Sequence, residues 1–266
     1  MMLLPVWAVI RRDLVRMVRQ RGRLLSAFVR PLIWFVVIGS GIGVLLEPAG
    51  PGAYHRYLVP GVVAMTILFG SMLVALSVVY DKEFGVMRLL ITAPLPHYWI
   101  VLAKIVSGVV TALVQAGVLL LFFFIFGFVT EQTSVSLLLA GLVGTALTCA
   151  TLGMLVAVWT STLDNFAVVM NFVIFPVFFL SGALYPVKGL PDALRLVAMI
   201  NPFTYGVDLL KHAILGVEAP IAGADFGVAT DIAVLCGFTL LAGFIACLRF
   251  SHEERAGLHE FLRGRK

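Results

Sequence analysis

Six stretches of sixteen or more residues in this chain contain no Asp, Glu, Lys or Arg: residues 31–46, 57–80, 105–130, 132–163, 165–187 and 232–248. A helix that crosses the hydrocarbon of a bilayer needs about 20 apolar residues, with a working range of roughly 17 to 25. Composition points the same way. Of 266 residues, 61% are hydrophobic and only 12% charged, where a soluble domain carries about a quarter charged. The sequence therefore predicts an all-α integral membrane protein with six transmembrane helices, at 31–47, 58–80, 104–128, 135–159, 165–185 and 228–248. The first run is short, and Leu24 to Val29 extend it if Arg30 snorkels to the headgroups.

Lys and Arg set the orientation. Residues 1–30 hold seven, 81–104 hold Lys82, Arg88 and Lys104, and the tail 249–266 holds five; the alternate loops hold only Arg56, Lys188, Arg195 and Lys211. Fifteen against four places both termini and the 81–98 loop in the cytoplasm. A seventh span over 194–217 would reverse the basic tail. Asn201-Pro202 breaks that stretch midway, and Asp208 and Lys211 charge its second half. Two half-helices, 191–200 and 203–216, fit better. They form either a re-entrant hairpin in the outer leaflet, within 186–217, or an ordinary external loop with two surface helices.

Residues 1–30 read as an amphipathic interfacial helix. Arg12, Arg16, Arg19 and Arg23 cluster on one side of the wheel, and Leu3, Trp7, Ile10, Leu14, Met17, Leu25 and Phe28 on the other. The arginines are expected to face water, anionic headgroups or a cytosolic partner, and Gly22 or Pro31 to turn the chain into the first span. The segment is not a signal peptide, since its basic part runs to Arg30 without a cleavage site after a short apolar core.

Between the second and third spans lies DKEFGVMRLLITAPLP, Asp81 to Pro96. As a helix it places Asp81, Gly85, Arg88 and Thr92 on one polar stripe, while Phe84, Val86, Met87, Leu89, Leu90 and Ile91 cover most of the rest. So apolar a short helix wants a groove to lie in.

The spans carry no charge near their centres, which disfavours proton relays and ion-coupled carriers. Small residues at Gly39, Gly43, Gly141 to Ala150 and Gly153 to Ala157 suit close helix approach. Phe122, Phe123, Phe124, Phe126 and Phe128, with Phe172, Phe175, Phe178 and Phe179, are expected at the outer ends of spans three and five, as a lipid-facing belt or a path for an amphiphile. Cys149, Cys236 and Cys247 are expected as small core residues. His55, His97, His212, His252 and His259 are read as solvated or interfacial. No phosphate loop, HExxH, GxSxG or dinucleotide turn is present. No catalytic residue, metal site or cofactor is therefore predicted in this chain.

Several motifs carry a resemblance: Leu58-Val59-Pro60-Gly61 opening span two, the Asp81–Pro96 loop, STLDNF at 161–166, FLSGALYPVKGLP at 179–191 and NPFTYGVDLLKHAILGV at 201–217. With six spans and cytoplasmic ends, the chain resembles the membrane subunit of ABC-2 type exporters. The resemblance implies a permease without its own ATPase site, paired with a second copy of itself or a homologous permease. Two copies of a cytosolic ABC ATPase, binding ATP and Mg, would drive it. It implies ATPase coupling through Asp81, Lys82, Glu83, Phe84, Gly85, Arg88, Leu89 and Leu90. It implies a re-entrant gate of Ser181, Gly182, Tyr185, Pro186, Leu190, Pro191, Asn201, Pro202 and Tyr205. The setting is the bacterial cytoplasmic (inner) membrane, and the cargo an amphiphile such as a lipid-linked glycan, polysaccharide, lipid or drug. One departure is that Gly85 is followed by Val86-Met87-Arg88 where many members carry Thr-Leu-Glu, so the ATPase residue meeting position 88 does not transfer by analogy. Competing readings are a self-contained channel or secondary carrier, a structural scaffold, and a lipid-acting membrane enzyme. The last could draw only on Asp192, Asp208, Lys211 and His212.

Overall fold

The computed structural model describes residues 7, 11–13, 15, 19, 21–44, 52–86, 97–129, 133–216 and 222–263. Among these the regular structure is entirely helical: α1 (Arg21–Gly43), α2 (Ala53–Glu83), α3 (His97–Ile125), α4 (Val135–Trp159), α5 (Leu163–Phe179), α6 (Asp192–Ile200), α7 (Pro202–Ile214) and α8 (Val228–Arg263). Trp7, Arg11 to Asp13, Val15 and Arg19 are also helical. Four helices are long and apolar enough to cross a membrane: Ala53–Glu83, Tyr98–Ile125, Val135–Trp159 and Val228–Phe250. Phe28–Gly43 and Leu163–Phe179 are apolar but shorter.

α2 is the central rod. Every residue from Tyr57 to Leu68 is buried, as expected for a helix apolar on all sides. It packs against α1, α3, α4, α5 and α7, while α8 lies on α4, α7 and α3. The approach is close where side chains are small: a Cβ on Gly108 would sit 3.1 Å from that of Ala150, and one on Gly153 3.1 Å from that of Ala75. The outer faces remain apolar, with Val36 and Val37 on α1, Leu121 and Phe124 on α3, and Leu240 and Phe244 on α8 all exposed.

Several predicted boundaries shift. α1 runs helical straight through Pro31, so neither Pro31 nor Gly22 turns the chain there; proline costs one ladder bond without ending the helix. α2 and α3 both begin before the predicted 58 and 104, and α8 continues past 248 into the basic tail. α5 ends at Phe179 rather than 185, because Leu180 to Tyr185 form a turn. Inside α5 a π turn spans Met170–Ile174, where the Phe175 amide donates to the Met170 carbonyl. The cause follows in sequence: Pro176 has no N–H for the carbonyl four residues back and its ring would press on it, so the ladder widens just before the proline.

The aromatic and cysteine expectations divide. Phe124, Phe126 and Phe172 are exposed, whereas Phe123 and Phe178 are fully buried, Phe178 edge-on to Trp34 and Phe179. Cys149 is buried as expected, but Cys236 lies on the exposed face of α8. Burial depends on which side of a helix meets α2, and a run that is apolar all round does not announce that side.

Candidate functional site

The two ends of the bundle each gather polar residues. At the first, α2 runs on to Glu83, so Asp81, Lys82 and Glu83 are its last turn. Asp81 is only 3% exposed. Its carboxylate accepts from Arg12 Nη2 at 3.0 Å and Lys104 Nζ at 3.3 Å. Lys104 also donates to Asp13 at 3.1 Å and to Ser77 at 3.3 Å, and Ser107 donates to Asp13 at 3.2 Å. Two cations and two carboxylates thus bind the N-terminal helix to α2 and α3. Arg12 adds a contact that the wheel did not foresee, since its guanidinium donates to Asp81 while its side chain stays 39% exposed. Arg19 is exposed; Arg16 and the side chain of Arg23 lie outside the described residues.

Lys82 and Glu83 clasp the α4–α5 junction. Lys82 Nζ donates to the Val158 carbonyl at 2.9 Å, and the Leu163 amide donates to Glu83 Oε2 at 2.7 Å. A cation therefore meets the C-terminal carbonyls of α4 and an anion the first free amides of α5, the signs favoured at those ends. Thr162 completes the α5 start by accepting from the Asn165 amide. Gly85, at φ 73°, closes α2 with its amide on the Lys82 carbonyl, and a side chain there would be strained. Beside it Phe84 is exposed and packs on Tyr80 at 4.3 Å. Arg88, Leu89 and Leu90 lie outside the described residues.

At the opposite end the Ser181–Tyr185 turn rests on α2. Tyr57 and Tyr54 donate to the carbonyls of Gly182 (3.1 Å) and Leu184 (2.9 Å). Gly61 lies against the backbone of Ala183, so closely that a Cβ would collide with it. That contact explains the Pro60-Gly61 pair physically: only glycine lets the helix touch the turn. Ser181 donates to the Phe178 carbonyl, and Gly182 adopts φ 78°. Tyr185, Pro186 and Leu190 are half-buried and Pro191 exposed.

Asn201 separates α6 from α7. Its Oδ1 caps α7 by accepting from the Phe203 amide, its Nδ2 donates to the Val177 carbonyl at 2.7 Å, and Pro202 opens the helix at the position where no amide is missed. α7 is buried on nearly all sides, whereas α6 has only Ala198 buried. Tyr205 reaches back to the Met199 carbonyl at 2.7 Å. The two half-helices therefore do not share one setting: α7 is packed into the bundle, and α6 is exposed along most of its length.

Along α7 the charges turn inward. Asp208 accepts from the amides of Asp225 (2.6 Å) and Phe226 (2.8 Å), and Lys211 pairs with Asp225 at 3.3 Å and lies over the Tyr57 ring. Burial raises the Asp208 carboxyl above its ordinary value, opposed by those two amides and by Lys211. Burial also lowers the Lys211 ammonium, opposed by Asp225 and Asp208. His212 corrects another expectation: it is half-buried, 2.8 Å from the Phe226 carbonyl and within 4 Å of Asp208 and Asp231. Of the four residues considered for lipid chemistry, Asp192 stands apart and exposed. Asp13, Asp225 and Asp231 went unforeseen. Asp13 left one signal, being the sole acid among the first thirty residues.

Residues 5–215 match the ABC-2 type transporter family. Nodulation protein J of Rhizobium leguminosarum bv. trifolii is 26% identical over 226 residues, covering 84% of this chain and 83% of that protein. The inner membrane transport permease YadH of Escherichia coli (strain K12) is 25% identical over 217 residues, 81% of each. The putative transport permease ycf38 of Cyanophora paradoxa is 24% identical over 218 residues, 77% of this chain and 72% of that protein. The match spans the cluster at Asp81, the Gly61–Ala183 contact and all of α7, and by it the chain belongs to the ABC-2 type transporter family of membrane transport permeases.

Proposed function

We propose that this chain is the membrane-spanning permease subunit of an ABC exporter, moving an amphiphilic substrate outward on ATP hydrolysed by a separate cytosolic subunit. In this reading α1 to α5 and α8 make six crossings of a bacterial cytoplasmic membrane. Both termini and Gly85 face the cytoplasm, α6 and α7 form the outer re-entrant pair, and two permeases assemble with two ATPases that bind ATP and Mg. The distribution of Lys and Arg supports that orientation. α5 is about 25 Å long at 1.5 Å per residue, a little short of the hydrocarbon, and the turn that follows it completes the outer leaflet.

The observation that carries the reading is α2. One buried rod, about 46 Å long by the same rise, holds the Ser181–Tyr185 turn with Tyr54, Tyr57 and Gly61 and ends at Asp81 to Gly85. Closure of the ATPases pushes on the 81–98 loop; a packed helix moves as a body, so the push reaches the outer turn, with α1 and α5 carried along. Phe84 and Gly85, continuing to Arg88, Leu89 and Leu90, supply the docking surface. Asp81, Lys82 and Glu83 act behind it, passing motion to the N-terminal helix, α4 and α5. The cargo belongs among lipid-linked glycans, polysaccharides, lipids or drug-like amphiphiles.

The test is ATP hydrolysis in proteoliposomes holding this permease and the ATPase that copurifies with it. Gly85→Val with Arg88→Ala is expected to abolish permease-dependent stimulation while leaving the protein in the membrane. Full stimulation by the double variant would refute the coupling role. Vectorial transport by the permease alone would favour a self-contained carrier.

A further inference from the structure

α7 and α8 bring three candidate metal ligands together. Asp208 and His212 stand one turn apart on α7, and Asp231 comes from the first turn of α8. One ligand atom from each lies within 4.8 Å of the others. His212 Nε2 is 3.9 Å from Asp208 Oδ2, 3.8 Å from Asp231 Oδ2 and 2.8 Å from the Phe226 carbonyl oxygen. Asp231 separates this group from an ordinary acidic cluster. It is 0% exposed, and neither carboxylate oxygen has a hydrogen-bond partner. Its contact with His212 is too long to be one. A buried carboxylate with no donor is a costly arrangement that native proteins relieve with a proton, a water or a cation, and an imidazole and a second carboxylate beside it make a cation site.

We infer that Asp208, His212 and Asp231, with the Phe226 carbonyl, form a binding site for a divalent transition-metal cation, Zn²⁺ or Mn²⁺, that pins α7 to the last long helix. The donor set is one imidazole nitrogen and three oxygens, which suits these ions better than thiolate-seeking ones. Ligands about 2.0–2.2 Å from the ion stand roughly 3.4 Å apart in a tetrahedral shell. The two carboxylate–imidazole pairs, at 3.9 and 3.8 Å, therefore close by about half an ångström on binding, while the imidazole–Phe226 carbonyl pair, at 2.8 Å, opens by about as much; His212, half-buried, has room to turn.

Charge balances: two carboxylates meet one doubly charged ion. Lys211 does not substitute for it, because its ammonium is committed to Asp225. Asp208 Oδ1 keeps the Asp225 amide, and its Oδ2 retains a lone pair beside the Phe226 amide. His212 serves in either of two states. Without the ion Nε2–H donates to the Phe226 carbonyl; with it the proton sits on Nδ1, and Nε2 and the carbonyl become neighbouring ligands.

The test reads metal binding, not transport, so it stands or falls apart from the exporter reading. Untagged full-length protein in nanodiscs is stripped with chelator and dialysed against ZnCl₂ or MnCl₂, and its metal content and melting temperature are measured. Wild type is expected to retain one ion per chain and to melt higher with it. Asp231→Asn, which preserves shape, and His212→Gln are each expected to weaken binding by roughly tenfold or more and to lose the metal-dependent rise in melting. With bound Mn²⁺, nitrogen coupling in the paramagnetic resonance spectrum should vanish in His212→Gln. Metal retained equally by wild type and both variants, or by none of them, overturns the site.

Discussion

Lys104 lies between two carboxylates with its side chain 1% exposed, and its removal strands both. Lys104→Met keeps the length and apolar stem but leaves Asp13 and Asp81 with Arg12, which is more than a third exposed. Breaking a buried ion pair from one side costs about 3–5 kcal/mol. Denaturant unfolding in detergent is therefore expected to show Lys104→Met destabilised on that scale, and Asp13→Asn added to it to recover part of the loss by removing one stranded charge. If Lys104→Met unfolds like wild type, the cluster does not hold the N-terminal helix. The sequence displayed each of these residues but not their meeting. Lys104 read as a topogenic charge and Asp13 drew no reading at all, since pairing over ninety positions leaves no local spacing to detect. Asp231 was harder still, because it sits one residue outside a charge-free run and looks like a solvated boundary until α7 is placed over it.

At the scale of elements, helical structure in the apolar runs was legible, and most helix lengths and ends were not. α4 occupies 135–159 as predicted, and the break at Asn201-Pro202 falls between α6 and α7, because a capping side chain followed by proline has one local meaning. The end of α5 was misread: apolar residues continue through Leu184, so hydropathy sees no change where the helix stops at Phe179. The π turn was visible only as Pro176. Pro176→Ala restores the missing amide and removes the ring that widens the ladder. The expected result is an ordinary α register through Met170–Ile174, which drops one residue from the wide turn and rotates Phe175–Phe179 by about 100°. Phe178 would then leave its place against Trp34 and Phe69. A cysteine at 178 should react with a lipid-soluble maleimide in the alanine background and stay protected beside native Pro176. Equal protection in both would show that packing, not the proline, sets the turn.

For the whole molecule the same α2 rod joins the two ends, and its direction across the membrane decides what each end can do. The Asp81–Gly85 end lies with the α4–α5 junction, and the Tyr54–Gly61 end with the Ser181–Tyr185 turn and α7. This shared sidedness was legible from span parity, whereas the contacts that knit each end were not, since they join residues from distant parts of the chain. Lys and Arg fall fifteen to four on the loops assigned to the Gly85 side, and such a bias orients short loops. Single cysteines at Gly85, in the α2 exit, and at Gly189, in the exposed turn before α6, carry the prediction. Both glycines have no neighbour within 4 Å of an added Cβ, although Gly85 has positive φ, so Val86→Cys provides an unstrained second probe on that side. In a background lacking Cys149, Cys236 and Cys247, a membrane-impermeant thiol reagent added to intact cells should label position 189 and spare 85 and 86. Inverted vesicles should give the reverse. If position 86 reacts from outside the cell, Phe84 and Gly85 cannot meet a cytosolic ATPase, and the direction of drive along α2 has to be reassigned.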